Sequence, residues 1–391
     1  MAEFMDEIHP MPVGDLGIIA MRGCGSLVDT VNSYLTDWRK SYQRKNIASE
    51  QLYQDYQRDS YLLHSVCPRF GTGEGKGIIT ESVRGVDLYI ICDCFNYGET
   101  YKMYRQDVPM SPDDHFQDLK RVIAATAGKA RRITVIMPLL YEGRQHKRSS
   151  RESLDCSIAL QELVNMGVDN IITFDAHDSR VQNAIPLRGF ESIQPAYQMI
   201  KAMANTIPDL LFDSKHMMII SPDEGGMSRC IYYSNILGID LGMFYKRRDY
   251  SQIVNGRNPI IAHEYLGDDI SDKDVVVVDD MISSGDSIID VARQLKSRNA
   301  RRIFINATFG LFCEGLDMFD KAYEDGIINQ VYTTNLIFRP EGIHDKLWYT
   351  EVSMCKYIAY IINTINHDQS ISQLLDPAEK IHSLLERRKL K

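Results

Sequence analysis

Residues 275–287 read VVVVDDMISSGDS. Four valines run into Asp279 and Asp280, and these lead through Met281 and Ile282 to Ser283, Ser284, Gly285, Asp286 and Ser287. A run that is apolar at every position suits a strand covered on both faces of a parallel sheet. A loop of small residues that opens a helix presents backbone N–H groups, and the helix dipole adds positive potential there. The stretch therefore reads as a buried strand, two carboxylates at its carboxyl end, and an anion cradle beyond them. Carboxylates accept hydrogen bonds from hydroxyls. A ligand that carries both a phosphate and vicinal hydroxyls, such as a sugar phosphate, fits this order of parts. The alternative is a solvent-exposed strand end capped by Asp286 and Ser287.

Six further strands are expected around it: 86–94, 131–140, 169–178, 217–226, 301–312 and 327–338. Most are rich in Val and Ile and apolar throughout. Amphipathic stretches at 115–127, 152–166, 285–298 and 314–325 read as helices between them. Strands alternating with helices imply α/β layers with right-handed crossovers. The chain has 391 residues, too many for one ordinary core, so two domains are expected. Two prolines and a glycine in IPLRGFESIQPAY (185–197) mark the expected junction. The charged, aromatic stretch 36–63 reads as a surface helical insertion, and no internal repeat is visible.

Composition narrows the function classes. Hydrophobic residues make up 44% and charged residues 25%, an ordinary globular balance. A net charge of -9 argues against a surface that attracts nucleic acid or anionic membrane as a whole. No apolar run approaches the roughly 18–20 residues needed to span a bilayer. The first residues, MAEFMDEIHPMPVGD, place acids and prolines where a signal peptide has basic and apolar segments. Eight scattered cysteines, with Cys92 and Cys94 the close pair, read as reduced thiols of a cytoplasmic protein.

In open α/β sheets ligands sit at the carboxyl ends of strands. Three strands here end in polar clusters: FDAHD, SPDEGG and DDMISSGDS. The last resembles the phosphoribosyl-binding fingerprint of type I phosphoribosyltransferases and ribose-phosphate diphosphokinases. Three more segments resemble the diphosphokinases in order and spacing: ESVRGVDLYII (81–91), DNIITFDAHDSRVQNAIP (169–186) and IISPDEGGMSRC (219–230). The resemblance runs from about residue 14 to SISQLL near 370–375.

That resemblance implies two similar domains, each a mostly parallel sheet flanked by helices. Residues 14–186 would form the N-terminal domain, with the ATP loop, the 36–63 insertion and the tail 367–391 packed on it. Residues 187–366 would form the domain that binds ribose 5-phosphate. The implied reaction moves the β,γ-diphosphoryl group of ATP to the anomeric hydroxyl of ribose 5-phosphate, giving phosphoribosyl pyrophosphate and AMP. Magnesium is the implied cofactor, since phosphoryl transfer needs its charge neutralised. His177 and Asp223 match the family's metal positions, and His177 its nucleotide segment too. Arg144 and Gln145 match its ATP-binding Arg-Gln pair. Phe70 and Glu74 match a hairpin that reaches a neighbouring subunit's ATP site, with Thr72 in place of Asn. This implies a homo-oligomer, dimer-based or hexameric, with neither nucleic acid nor membrane as partner. Lys246 and Arg248, in the long polar segment 245–259, match the Lys-x-Arg that stabilises the transferring group. Their i, i+2 spacing would point both side chains the same way in an extended chain. Asp279, Asp280, Ser283, Ser284, Gly285, Asp286 and Ser287 would hold ribose 5-phosphate.

Three positions depart from the usual fingerprint. Ser283 stands where many members have Asp, Asp286 where Gly is frequent, and Ser287 where Thr is. An extra carboxylate beside a phosphate is repulsive unless Asp286 turns outward. Two other readings remain at this level: a catalytically silent regulatory or structural homologue, and a phosphoribosyltransferase. The presence of His177, Asp223, Lys246 and Arg248 speaks against the first. Length and the Arg144–Gln145 loop speak against the second.

Overall fold

The computed structural model describes residues 11–45, 54–248 and 260–389, with the side chains of 44–45, 246–248, 260–263 and 389 outside the description. The chain divides into two compact units. The first comprises Met1–Gln194, Asn335–Phe338 and Ser353–Leu375; the second comprises Pro195–Thr334, Arg339–Val352 and Asp376–Lys391.

The first unit holds a five-stranded parallel sheet. Its order is Leu16–Ala20, Asp87–Ile91, Arg132–Ile136, Asn170–Phe174 and Gly189–Ile193. The inner strands are apolar on both faces, as in LYII (88–91) and TVI (134–136), and are buried accordingly. Helix Pro112–Ala125 starts at a capping box: Ser111 accepts from the Asp114 N–H, and Asp114 answers on the Ser111 N–H at 3.0 Å. Strand Gly189–Ile193 lies inside the expected junction. Its residues pair with Asn170–Phe174, so the division falls after Gln194 rather than at 186/187.

The described part of the 36–63 stretch, expected as a surface helical insertion, is helical but only partly at the surface. Helix Gly25–Lys45 runs through its first part, and 46–53 lie outside the described residues. Arg39 on that helix is 0% exposed. It donates to Asp55 at 2.9 Å, Asn363 at 3.2 Å and Asn366 at 2.6 Å, and stacks over Tyr56 and Tyr61. Asn366 in turn donates to Asp87 at 2.8 Å, and Arg132 grips the same carboxylate with two 2.8 Å bonds. A buried arginine is tolerable only when its donors are satisfied in this way. The late helix Cys355–Asn366 is therefore part of the first unit's interior.

The second unit is built on seven strands. Their order is Ile260–Leu266, Leu241–Arg248, Met217–Ser221, Asp274–Ile282, Arg302–Gly310, Gln330–Thr334 and Tyr349–Val352. All neighbours are parallel except the first pair, which is antiparallel. The central strand begins at buried Asp274, held by Arg301 at 2.8 Å and by Arg302 at 2.7 and 3.0 Å. The polar segment 245–259 is thus partly strand, and 249–259 lie outside the described residues. The tail expected over 367–391 is shared: residues to Leu375 belong to the first unit. Helix Ala378–Lys389 belongs to the second and buries Ile381 in its core. Among the described residues no helix is long and apolar enough to cross a membrane.

Candidate active site

In the second unit, two carboxyl strand ends lie side by side, because Met217–Ser221 pairs with Asp274–Ile282. Asp279 and Asp280 sit near the carboxyl end of the central strand, Asp279 half-buried and Asp280 buried. The Asp280 N–H donates to Asp279 Oδ1 at 2.9 Å, and the Met281 N–H to Asp280 Oδ1 at 2.9 Å. Burial and the adjacent Asp280 push Asp279 well above the usual carboxylate range. Arg229 opposes the shift, its Nη1 3.7 Å from Asp279 Oδ1. Asp223 adds to the negative field on Asp279. It is half-buried and accepts from the Gly225 and Gly226 N–H groups at 2.9 and 3.3 Å.

Beyond the acids, Ser283, Ser284 and Gly285 lead directly into helix Asp286–Ser297. Gly285 caps that helix at φ 102° and ψ -18°, backbone space that L side chains avoid. A Cβ built on it would stand 2.5 Å from Phe319 Cε2, so the buried ring also requires glycine. The Cys313 N–H donates to Ser283 O at 2.9 Å and ties the loop to the neighbouring strand end. Ser283 and Ser284 are half-buried; Asp286 and Ser287 are exposed. Asp286, in the first turn of that helix, is exposed and makes no side-chain hydrogen bond among the described residues.

In the first unit, the loop after strand Arg132–Ile136 carries Arg144 and Gln145. Arg144 is exposed, and Gln145 Nε2 donates to Ser153 O at 3.0 Å. His177 is exposed past the end of strand Asn170–Phe174. The hairpin near residue 70 closes through the Phe70 N–H to Glu74 O at 2.7 Å and the Gly73 N–H to Phe70 O at 2.9 Å. Phe70 is 58% exposed; Thr72 and Glu74 are exposed and joined by a 2.9 Å bond. An aromatic ring held out by a closed hairpin is available to another surface.

Lys246 and Arg248 lie on strand Leu241–Arg248, and their side chains are outside the described residues. The backbone register shifts between Arg247 and Arg248, so the simple two-residue alternation expected there is interrupted. Among the described residues no three His, Cys, Asp or Glu side chains converge to hold a metal. His177 belongs to the first unit and Asp223 to the second.

Arg229 went unnoticed in the sequence. It follows SPDEGG on helix Met227–Leu237, where a single basic residue has no distinguishing pattern. Asp178 also escaped notice, although FDAHD contains it. It accepts from the Arg180 N–H at 2.9 Å and from the Arg180 side chain, which holds it down at about 2.

Three family models match successive parts of the chain. They are the N-terminal domain of ribose phosphate pyrophosphokinase over 16–167, the phosphoribosyl transferase domain over 189–310, and the phosphoribosyl synthetase-associated domain over 251–376. The ribose-phosphate pyrophosphokinase of Vibrio cholerae is 27% identical over 314 residues, covering 79% of this chain and 90% of that protein. Ribose-phosphate pyrophosphokinase A of Dictyostelium discoideum is 26% identical over 309 residues, covering 78% and 88%. In fold, the chain resembles the phosphoribosylpyrophosphate synthetase of Mycobacterium smegmatis, with a TM-score of 0.69 at 20% identity over 90% of this chain and 99% of that one. With three models in family order, curated relatives of one name and the matching α/β fold, the chain belongs to the ribose-phosphate pyrophosphokinase family.

Proposed function

We propose that the protein is an active ribose-phosphate diphosphokinase. It joins ribose 5-phosphate to the β,γ-diphosphoryl group of ATP and releases AMP. The anomeric oxygen forms a bond to the β-phosphorus. The bond from that phosphorus to the α-bridging oxygen breaks, AMP keeps the electron pair, and the hydroxyl proton leaves to water. The observation that carries this reading is the succession Asp279–Asp280, small-residue loop and glycine-capped helix N-terminus at the carboxyl edge of the second unit's sheet. Backbone N–H groups after Ser283 hold the 5-phosphate. Asp279 and Asp280 accept hydrogen bonds from the ribose hydroxyls. Arg144 and Gln145 bind the nucleotide, and Lys246 and Arg248 meet the charge that develops on the transferring group.

Magnesium, when bound, neutralises the polyphosphate and withdraws charge from the transferring group. Carboxylate oxygens are the ligands it prefers, and Asp280 and Asp223 both add negative field at Asp279 that a nearby cation would relieve. Magnesium is commonly held by one or two carboxylates with phosphates and water completing its shell. In the second unit Asp223 is the residue that would hold it, and in the first unit His177 is the residue that matches the family's metal position. The eight free thiols suit a reducing compartment, and the cytoplasm is the place we assign.

The test is product identity. Purified protein with ribose 5-phosphate and Mg-ATP should yield AMP in step with ATP loss. ADP as the main product would mean ordinary γ-phosphoryl transfer and would reject the assignment. Full binding of both substrates without either product would instead favour a silent homologue.

A further inference from the structure

The loop that carries Arg144 is exposed at nearly every position from 144 to 153. Gln145 and His146 are the exceptions. The His146 side chain is only 11% exposed, although the neighbours after it are Lys147, Arg148 and two serines. What it packs on comes from the adjacent strand end. His146 Nε2 lies 3.5 Å from Asp178 Oδ2, and its ring centroid is 5.4 Å from that of His177, at 55°. Asp178 is itself fixed. It caps the 3-10 turn Ser179–Ala184 by accepting from the Arg180 N–H, and the Arg180 guanidinium grips both carboxylate oxygens.

We propose that His146 is a positioning residue for the nucleotide: through Asp178 it clamps the Arg144–Arg148 loop to the segment that carries His177. The inference rests on the reading of that edge as the ATP side of the site. A flexible loop of cations binds phosphate weakly, because ordering it on binding costs conformational entropy. A loop already pinned at one point has less to lose. His146 suits the task because it is a compact group with a ring N–H for a carboxylate, and it is well shielded from water.

The experiment compares the full-length protein with His146→Ala, Asp178→Asn and His146→Gln. Mg-ATP affinity is read by calorimetry, loop protection over 144–151 by hydrogen exchange, and steady-state constants for both substrates. The clamp predicts about tenfold or greater loss of Mg-ATP affinity in His146→Ala, the cost common for outer-layer partners of a bound group. It also predicts faster exchange over 144–151, an unchanged KM for ribose 5-phosphate, and substantial rescue by His146→Gln, whose amide N–H reaches a similar point. Wild-type affinity and exchange in His146→Ala would overturn the clamp and leave the proposed activity standing. If the wild-type protein binds no Mg-ATP, the nucleotide reading itself falls. Hydrogen exchange still shows whether His146 pins the loop.

Discussion

Replacing Gly285 by Ala tests the phosphate cradle at its most constrained point. The residue holds φ 102°, and an added Cβ would stand 2.5 Å from Phe319 Cε2 and 2.8 Å from Cζ. Left-handed backbone costs an L residue roughly 1–2 kcal/mol. Relief by moving Phe319 is blocked, because that ring is fully buried, stacked on Trp348 with centroids 5.3 Å apart and edge-on to Phe312 at 5.1 Å. Overpacking of this kind adds roughly 1–3 kcal/mol. The two sum to about 2–5 kcal/mol, so the loop and first helical turn move rather than the core. Losing one amide bond to a charged phosphate costs roughly 1.5–3 kcal/mol, which is about 10- to 150-fold in affinity. Calorimetric titration with ribose 5-phosphate should show that loss, and thermal denaturation should show a lower midpoint. Pairing Gly285→Ala with Phe319→Leu separates the parts: the smaller side chain should recover the steric share and leave the φ cost. Ribose 5-phosphate affinity at the wild-type level in Gly285→Ala, with unchanged stability, would refute the cradle.

Lys246→Ala and Arg248→Ala should each cut turnover by roughly 10²–10³ with smaller changes in ribose 5-phosphate affinity, since such contacts are made in the transition state; a raised KM at full turnover would show ground-state binding instead. Asp286→Gly should leave ribose 5-phosphate affinity intact or improved, because the exposed carboxylate bonds nothing among the described residues. Ser284→Ala should weaken it by roughly 0.5–3 kcal/mol, and calorimetry showing the reverse pattern would misplace the loop. If exposed Phe70 completes the ATP site of a second copy, activity should track assembly, and a fully active monomer in sedimentation would contradict this.

The strands that could be read directly were those whose side chains are apolar on both faces, such as VVVV at 275–278, since double burial leaves one pattern open to them. Edge strands hide. Gly189–Ile193 reads GFESI and is mostly half-buried, so its glycine and charge looked like a linker. Strand Ile260–Leu266 pairs on one side only, and its IIAHEYL is mixed for the same reason. Arg39 lies in the stretch expected at the surface, and its local sequence carries no sign of its burial. Its partners Asn363 and Asn366 stand 324 and 327 residues away in the chain. In the site, the acid pair and loop were visible because strand, loop and helix are contiguous. Arg229 and the His146–Asp178 contact are tertiary meetings of residues with no shared spacing.

The return of the chain to its first unit governs when that unit can mature during synthesis. Segments emerge from the ribosome in order, yet Asn363, Asn366 and the helix bearing them come after nearly all of the second unit. Until then helix Gly25–Lys45 has Asp55 but not the two amides that complete the shell of Arg39, and Asp87 lacks the amide of Asn366. A nascent chain halted near Gln194 therefore carries all five strands of its sheet and an interior charge still short of ligands. Its interior closes only after residues 355–366 have been made, so the second unit's strands are synthesised while the first unit is still incomplete.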